Sequence, residues 1–563
     1  MKMSHMKNYE FWLKQKDLDP NLKEELLQLN NEQIKESFYT DLGFGTGGMR
    51  GLMGVGTNRI NLYTIRRATL GFSRYIKKNN IKGGIAISYD NRKDSKVFAY
   101  QSAMVLAAQG IDSYLFDALR PTPMLSYAVR YFHGAGGIMI TASHNPKEYN
   151  GYKAYDHTGA QLSPRVADMV IAEINAILNP FEIDYCDNEH IHYIDESFDD
   201  IYLAEVETIS INDLIKKPVK IVYSPLHGAG GPVIPKFMKK SGYDIYPYAP
   251  QMINDPTFPD TKSSNPEEAK AYENTLEYAQ QIGADIVMVT DPDADRLGIA
   301  ILHQGSYHLL TGNQTAVIEL YYILNEKKKM HSLPNQGYVY TTNVTTNLIG
   351  VIAKSFGMHV VTTLTGFKFI GEQAELNKDK GDYVFGCEES YGSLVKDFVR
   401  DKDAVQAVYL LGEIANYVAL HHMTMIDYLE HIYQIYGYYY EYTENIVLTG
   451  LSGIKKINTI MDYFRDNPPK MDGLNLESFD DVQKGIHVQN HKKTKLDYPI
   501  SNVLKYNYEN DHWVVFRPSG TEPKIKIYYG TKAKTMDLAK ISVKKFNAQI
   551  LKEIEALKGE NDV

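Results

Sequence analysis

The 563-residue sequence predicts an α/β protein: three related α/β domains followed by a smaller α+β C-terminal domain. Three observations predict it. At roughly 100 to 200 residues per domain, the chain is too long for one hydrophobic core. Short apolar runs ending in turn residues alternate with helix-like stretches, the pattern of βα units around a largely parallel sheet. That alternation runs through three rounds and then gives way, near residue 441, to strands, a polar loop and one long amphipathic helix.

In chain order, a polar helical start precedes strands at 84–89, 113–116 and 137–141. The second round has strands at 219–223, 244–248 and 286–290 with a helix at 273–281. The third places strands at 338–342, 360–363 and 383–385 and helices at 346–355 and 367–376. Apolar-periodic stretches at 404–421 and 425–435 read as two helices leading out of it. Beyond them lie strands at 445–448, 513–516 and 525–529, a polar loop at 467–472 and an amphipathic helix at 536–557. The expected domains are 1–210, 211–328, 329–440 and 441–563. The polar, aromatic-dotted stretch 179–199 reads as a surface excursion.

Composition narrows the function classes. Apolar residues make up 44% and charged residues 23%, close to the globular average, which excludes a disordered, collagen-like or coiled-coil chain. A net charge of −9 without long like-charge blocks supports neither nucleic acid nor an anionic membrane as a partner. It leaves an anionic small molecule open, since local donors and a metal decide phosphate binding. Cys186 and Cys387 are far apart and fit neither a disulfide framework nor a metal spacing, so a reducing compartment is expected. Residues 1–16 lack a signal-peptide pattern and no 18-residue apolar run occurs, so the expected location is cytoplasmic.

The most pointed segment is TASHNP at 141–146, directly after a strand. A serine on a turn at a strand's C-terminal end stands where α/β sheets place ligands, and His144 beside it is able to orient the Ser143 oxygen or handle its proton. The competing reading is an ordinary Ser/His/Asn/Pro turn. DPDADR at 291–296 again follows an apolar run. Its alternating carboxylates, Asp291, Asp293 and Asp295, can converge on a hard divalent cation. An EF-hand is excluded, because the sixth position is Arg296 rather than Gly and the twelfth is Leu302 rather than Glu. A phosphoryl-accepting Asp291 of the haloacid-dehalogenase type and a solvated acidic loop are the alternatives.

Two further segments suit phosphate: FGTGGMRG at 44–51, with Arg50, and RPSGTEPK at 517–524, with Arg517, Ser519, Gly520 and Thr521. Each alone reads more readily as an ordinary Gly-rich loop. GCEESYG at 386–392 and TLTGFK at 363–368 offer carboxylates, hydroxyls and backbone groups that match sugar hydroxyls. RDKD at 400–403 reads as a charged surface turn or a phosphate clamp. Phosphoryl transfer on a phosphosugar accounts for these loops together.

In this order, TASHNP, DPDADR, GCEESYG and RPSGTEPK resemble the α-D-phosphohexomutase superfamily, the phosphoglucomutases and phosphomannomutases, essentially end to end. The resemblance implies four domains around a central cleft. It implies that Ser143 is a phosphoserine that interconverts α-D-glucose 1-phosphate and glucose 6-phosphate through an enzyme-bound glucose 1,6-bisphosphate. Mg²⁺ would be held by Asp291, Asp293, Asp295 and an oxygen of phospho-Ser143. Arg50, His144, Lys153 and Lys402 would be the proton-transfer and charge-stabilising side chains. Glu388, Ser390, Thr365, Gly366 and Arg296 would meet the sugar phosphate, and Arg517, Ser519, Gly520 and Thr521 the non-reacting phosphate. Two departures stand out: GTGG where many relatives carry Ser or Ala before the second glycine, and Ala404 after Lys402-Asp403 where many carry Gly. Tyr391 favours glucose. The alternatives are a mutase acting mainly on mannose or pentose phosphates and a non-catalytic phosphosugar-binding protein.

Overall fold

The computed structural model describes residues 5–559 apart from 46, 449, 472 and 520–523. Its contacts divide the chain into two compact units that interleave along the sequence. Unit 1 is Met1–Gly312, Phe367–Gly386 and Ser390–Thr424, and unit 2 is Asn313–Gly366, Cys387–Glu389 and Met425–Val563.

Unit 1 contains a six-stranded sheet in the order Met49–Leu52, Tyr149–Asp156, Gly136–Ile140, Ile85–Tyr89, Ser113–Phe116, Ile191–Ile194. The last four strands are mutually parallel, and the first two are antiparallel additions. Every residue of Ile85–Tyr89 and Gly136–Ile140 is buried, which explains their nearly continuous apolar sequence, broken by Ser88, whose hydroxyl donates to Arg120 O at 2.9 Å. Ile65, Phe72, Phe98 and Leu106 from the helices Leu62–Lys78 and Ser95–Ala108 join Ile87, Ile138 and Ile140 in one core. One expectation is refined. The stretch 179–199 carries the edge strand Ile191–Ile194 and opens the helix Ser197–Glu207. Only Ile194 of that strand is buried, so an edge position left it no apolar signature. Tyr149–Asp156, which the sequence did not predict, is a strand whose residues 150–155 are all buried, and its Lys153 pairs with Asp293.

The second sheet of unit 1 runs Ser306–Leu309, Leu297–His303, Ile286–Thr290, Lys220–Ser224, Asp244–Pro247. Its last three strands are parallel. Ile286–Thr290 and Leu297–His303 form an antiparallel hairpin whose loop is DPDADR. The remainder of unit 1 includes the helices Phe367–Asn377 and Ala404–Leu420, the latter buried around nearly its whole circumference. Asp403 caps it, accepting from the amides of Val405 at 2.9 Å and Gln406 at 3.1 Å.

Unit 2 pairs Gly337–Thr342 with Thr-rich His359–Thr363 in parallel, beside the helix Asn347–Ser355. Its C-terminal part is a seven-stranded antiparallel sheet in the order Tyr438–Val447, Lys524–Ala533, His512–Pro518, Leu504–Tyr508, Leu476–Asp481, Ile486–Gln489, Lys492–Lys495. Ile460, Phe464, Phe546 and Ile550 from the helices Gly450–Asp466 and Met536–Gly559 pack against Tyr506, Phe516 and Ile527. The helix Gly450–Asp466 and the hairpin of Ile486–Gln489 with Lys492–Lys495 go beyond what the sequence predicted. The hairpin is exposed or half-buried throughout, and its lysine-rich outer strand guards a sheet edge rather than filling a core. Among the described residues no helix is long and apolar enough to cross a membrane.

Candidate active site

The loop 141–146 leaves the buried strand Gly136–Ile140 and sets Ser143 at φ +52°. A non-glycine residue there carries roughly 1–2 kcal/mol of strain, so the loop must be held from outside. The Ser143 amide donates to Thr141 Oγ1 at 2.7 Å, and Thr141 Oγ1 donates to Asp90 Oδ2 at 2.6 Å. Arg92, buried beside Asp90, donates through Nη2 to the carbonyls of Ser143 and Asn145 and through Nη1 to those of Pro146 and Tyr149, at 2.5 to 3.0 Å. Ser143 itself is 2% exposed. Its Oγ donates to Asp291 Oδ2 at 2.7 Å and lies 3.1 Å from His144 Nδ1. Burial, reinforced by Arg296 and Arg50, holds the His144 imidazole far below its usual pKa, so it is neutral.

Asp291, Asp293 and Asp295 are fully buried on the turn of the hairpin, with one ligand oxygen from each within 4.8 Å of the others. Ala294, between the last two, is at φ +51°. Gly228 from the preceding loop lies so close that a Cβ there would come within 2.4 Å of Pro292, which fixes the turn from behind. Asp291 Oδ1 accepts from the amides of Asp295 and Arg296, both at 3.1 Å. Burial and the two neighbouring carboxylates push the Asp291 carboxyl well above the usual range. Burial works against charge on Asp295 too, but Lys153, Lys402 and Arg296 outweigh it and hold that carboxyl well below the usual range. Oδ1 of Asp293 and Oδ1 of Asp295 are buried with no hydrogen-bond partner. Hard oxygen donors, crowded, buried and short of donors, fit a divalent cation of the Mg²⁺ or Ca²⁺ type.

The predicted cations arrive from separate elements. Lys153, on Tyr149–Asp156, lies 2.6 Å from Asp293 Oδ2 and 3.2 Å from Asp295 Oδ2. Lys402 lies 3.3 Å from Asp295 Oδ2 and 3.1 Å from Asp401 Oδ1. The RDKD segment is therefore buried, not a surface turn. The Lys402 side chain runs across Gly392, where an added Cβ would come within 2.0 Å of it. Arg50 Nη1 donates to Asn145 Oδ1 at 2.7 Å. Arg296 Nη1 pairs with Glu267 Oε1 at 2.7 Å, and its Nε stands 3.6 Å from Asp295 Oδ1. Ser390 is half-buried in the same unit, followed by Tyr391 at φ +65°, whose carbonyl accepts from the Leu297 amide at 3.0 Å.

The other predicted residues belong to unit 2. Glu388 is buried and accepts from the Gly366 amide at 2.6 Å, so the two sugar-reading segments meet. Thr365 Oγ1, adjacent, is buried without a partner. Arg517 closes the strand His512–Pro518, and the Ser519 amide donates to Lys524 O at 2.7 Å. Gly520 and Thr521 lie outside the described residues. Sequence reasoning overlooked Arg92, Thr122 and Glu267. Thr122 Oγ1 donates to Asp293 Oδ2 at 2.9 Å, and its amide donates to the Asp293 carbonyl. Asp90-Asn91-Arg92 also follows a parallel strand at its C-terminal end, the signal that located the other loops.

Family models described as phosphoglucomutase/phosphomannomutase α/β/α domains I, II and III match residues 41–180, 200–304 and 311–436. A phosphoglucomutase of Staphylococcus aureus (strain MRSA252) is 37% identical over 538 residues, 94% of this chain and 96% of that protein. Among solved structures, the open form of pp63/parafusin, a phosphoglucomutase from Paramecium, superposes with a TM-score of 0.68 at 18% identity, covering 93% of this chain and 96% of that one. An N-acetylphosphoglucosamine mutase of Aspergillus fumigatus, in complex with GlcNAc-6P and magnesium, does so with a TM-score of 0.52 at 14% identity, covering 92% and 96%.

Proposed function

This chain belongs to the phosphoglucomutase/phosphomannomutase family and is a phosphohexomutase, and on that premise we propose that it interconverts α-D-glucose 1-phosphate and glucose 6-phosphate with Ser143 as the phosphoryl carrier. The observation that carries the reading is the buried Ser143 Oγ, 2.7 Å from Asp291 in a triad with unpartnered oxygens. In the forward step a sugar hydroxyl attacks the phosphorus on Ser143. The Ser143 O–P bond breaks, a sugar O–P bond forms, the hydroxyl proton leaves to a base and Ser143 Oγ takes a proton. The product is glucose 1,6-bisphosphate. Once turned over, it returns its other phosphoryl group to Ser143 by the reverse of the same step.

His144 is neutral, with Nδ1 3.1 Å from Ser143 Oγ, so it is assigned to orienting that oxygen rather than to supplying its proton. Lys153, Lys402, Arg50 and Arg296 supply positive charge against the three equatorial oxygens of the transferring group. Asp291, Asp293, Asp295 and a phosphate oxygen on Ser143 would hold Mg²⁺, which neutralises the charge of the transferring group. We assign Thr365, Gly366, Glu388 and Ser390 to the sugar hydroxyls, and Arg517, Ser519, Gly520 and Thr521 to the phosphate that does not react, from the family positions they occupy. The name of the 37%-identical relative supports glucose as the sugar.

A coupled assay for glucose 6-phosphate formed from α-glucose 1-phosphate, with Mg²⁺ and a trace of glucose 1,6-bisphosphate, tests the proposal beside Ser143→Ala. Turnover lost in the variant is expected. Turnover retained in it overturns the role of Ser143. Turnover only on mannose or ribose 1-phosphate overturns the choice of sugar.

A further inference from the structure

Three loop carbonyls, those of Ser143, Asn145 and Pro146, and that of Tyr149 at the start of the next strand converge on one buried guanidinium. Without it the carbonyl of the buried Ser143 would lose its donor, at about 1–3 kcal/mol for a buried unpaired carbonyl, and the other three would lose one, Asn145 O keeping Ser264 Oγ at 3.4 Å and Pro146 O the Tyr149 amide at 3.0 Å. The loop would relieve this by opening, and Ser143 stands at its strained corner. We propose that Arg92 is a positioning residue for phosphoryl transfer, one that aims Ser143 Oγ by gripping the loop on both sides of it. The inference rests on the reading of Ser143 as phosphoryl carrier.

The side chain suits the task and no other at this place. A guanidinium presents five donors in a rigid fork, whereas an ammonium is a point charge with three. The Arg92 side chain donates to backbone carbonyls, lies 3.3 Å from Asp90 and stacks 5.5 Å from the face of Phe258; Asp291 and Asp293 feel its charge, but its hydrogen bonds reach the reacting oxygen through the loop. Asp90 is the second half of the grip. It accepts from Thr141 Oγ1, from Ser95 Oγ at 2.9 Å and from the Arg92 amide at 3.0 Å. Thr141 in turn accepts the Ser143 amide, so the serine is held through its amide by one partner and through its carbonyl by the other.

The test follows the quenched time course of phosphoryl transfer from glucose 1,6-bisphosphate to dephosphorylated protein by intact mass. Affinity for glucose 1-phosphate and the thermal midpoint are measured on the same samples. Arg92→Lys keeps the charge and loses the fork, and is expected to load Ser143 roughly 10²-fold more slowly, the penalty of a small misplacement of a reacting atom, with affinity unchanged. Guanidinium ion added to Arg92→Ala is expected to restore loading saturably. A folded Arg92→Lys that loads at the parental rate overturns the proposal. So does a joint fall of rate, affinity and midpoint with no response to guanidinium, since that describes a residue needed only for folding. Should neither variant fold, Thr141→Val decides: slow loading with unchanged affinity supports the grip, and parental loading overturns it. Parental protein that takes no phosphate on Ser143 overturns the phosphoserine reading itself, and this inference with it.

Discussion

Ser143 Oγ donates a hydrogen bond to Asp291 Oδ2 across 2.7 Å, which ties the serine directly to the aspartate triad. A phosphoryl group on that oxygen removes this hydrogen bond and brings roughly −1.5 to −2 charges beside three buried carboxyl groups. Phosphorylated protein is therefore expected to unfold at a lower temperature than the dephosphorylated form when divalent ions are chelated. Mg²⁺ is expected to erase the difference or reverse it. Paired thermal scans in EDTA and in Mg²⁺ check this, and equal midpoints for both forms in EDTA count against a triad built around a cation.

Thr122 supports that site from the side. Its hydroxyl holds Asp293 Oδ2, which leaves Oδ1 of the same carboxylate unpartnered. Thr122→Val keeps the shape and removes the hydroxyl. The Mg²⁺ concentration for half-maximal rate is expected to rise about tenfold, the low end for losing a group that orients a ligand, with the saturated rate near parental. A Mn²⁺ titration followed by electron paramagnetic resonance gives the affinity directly.

Glu267, about a third exposed at 35%, pairs with Arg296. Glu267→Gln removes that tether at little cost in stability, because a partly exposed pair contributes about 1 kcal/mol or less. The expected result is a KM for glucose 1-phosphate raised several-fold, since Arg296 is then free to turn toward Asp295, with a thermal midpoint unchanged. An unaltered KM would show that Arg296 is oriented by its other neighbours.

Asp403 gives a pH signature. Burial pushes its carboxyl from 3.8 up to about 6. A carboxyl whose folded pKa lies above its unfolded one contributes its full stability only below the unfolded value, and the contribution is lost as pH rises through the folded value. Asp403→Asn does not titrate. Its stability relative to the parent is expected to improve between pH 4 and pH 7, by at most about 3 kcal/mol for a shift of about two units. Thermal midpoints of both proteins at the two pH values check the sign. A difference that stays constant with pH contradicts it.

What the sequence made legible follows from how its chemistry is written. Ser143 and the aspartate triad sit in short contiguous loops after buried, unbroken apolar strands, so both pattern and position marked them. Arg92 carries its partners 51 to 57 residues away, and Thr122 reaches Asp293 across 171. Nothing local distinguishes such a residue from an ordinary turn arginine or helix-start threonine. Lys153 was legible only through the family resemblance, since a lysine in YNGYKAYD reads as a solvated strand until its carboxylate partners are in place. In the fold, the core strands declared themselves and the edges did not. Ile191–Ile194 and Lys492–Lys495 bury too little to show an alternation.

The interleaving of the two units has a consequence for how the protein is made. Lys402, Asp401 and the helix Ala404–Leu420 belong to the unit that holds Ser143, yet residues 313–366 of the other unit are synthesised before them. A ribosome that has finished the serine loop and the aspartate turn has still not delivered the second lysine of the cluster. Tyr155 OH meets Asp401 Oδ2 at 2.9 Å only once that late segment emerges. Nascent chains halted before residue 400 should therefore expose the cluster to proteases that spare the finished protein. A gene cut into fragments at the expected domain borders would separate Lys153 from Lys402, and only co-expression of the pieces would bring the two ammonium groups back to one carboxylate.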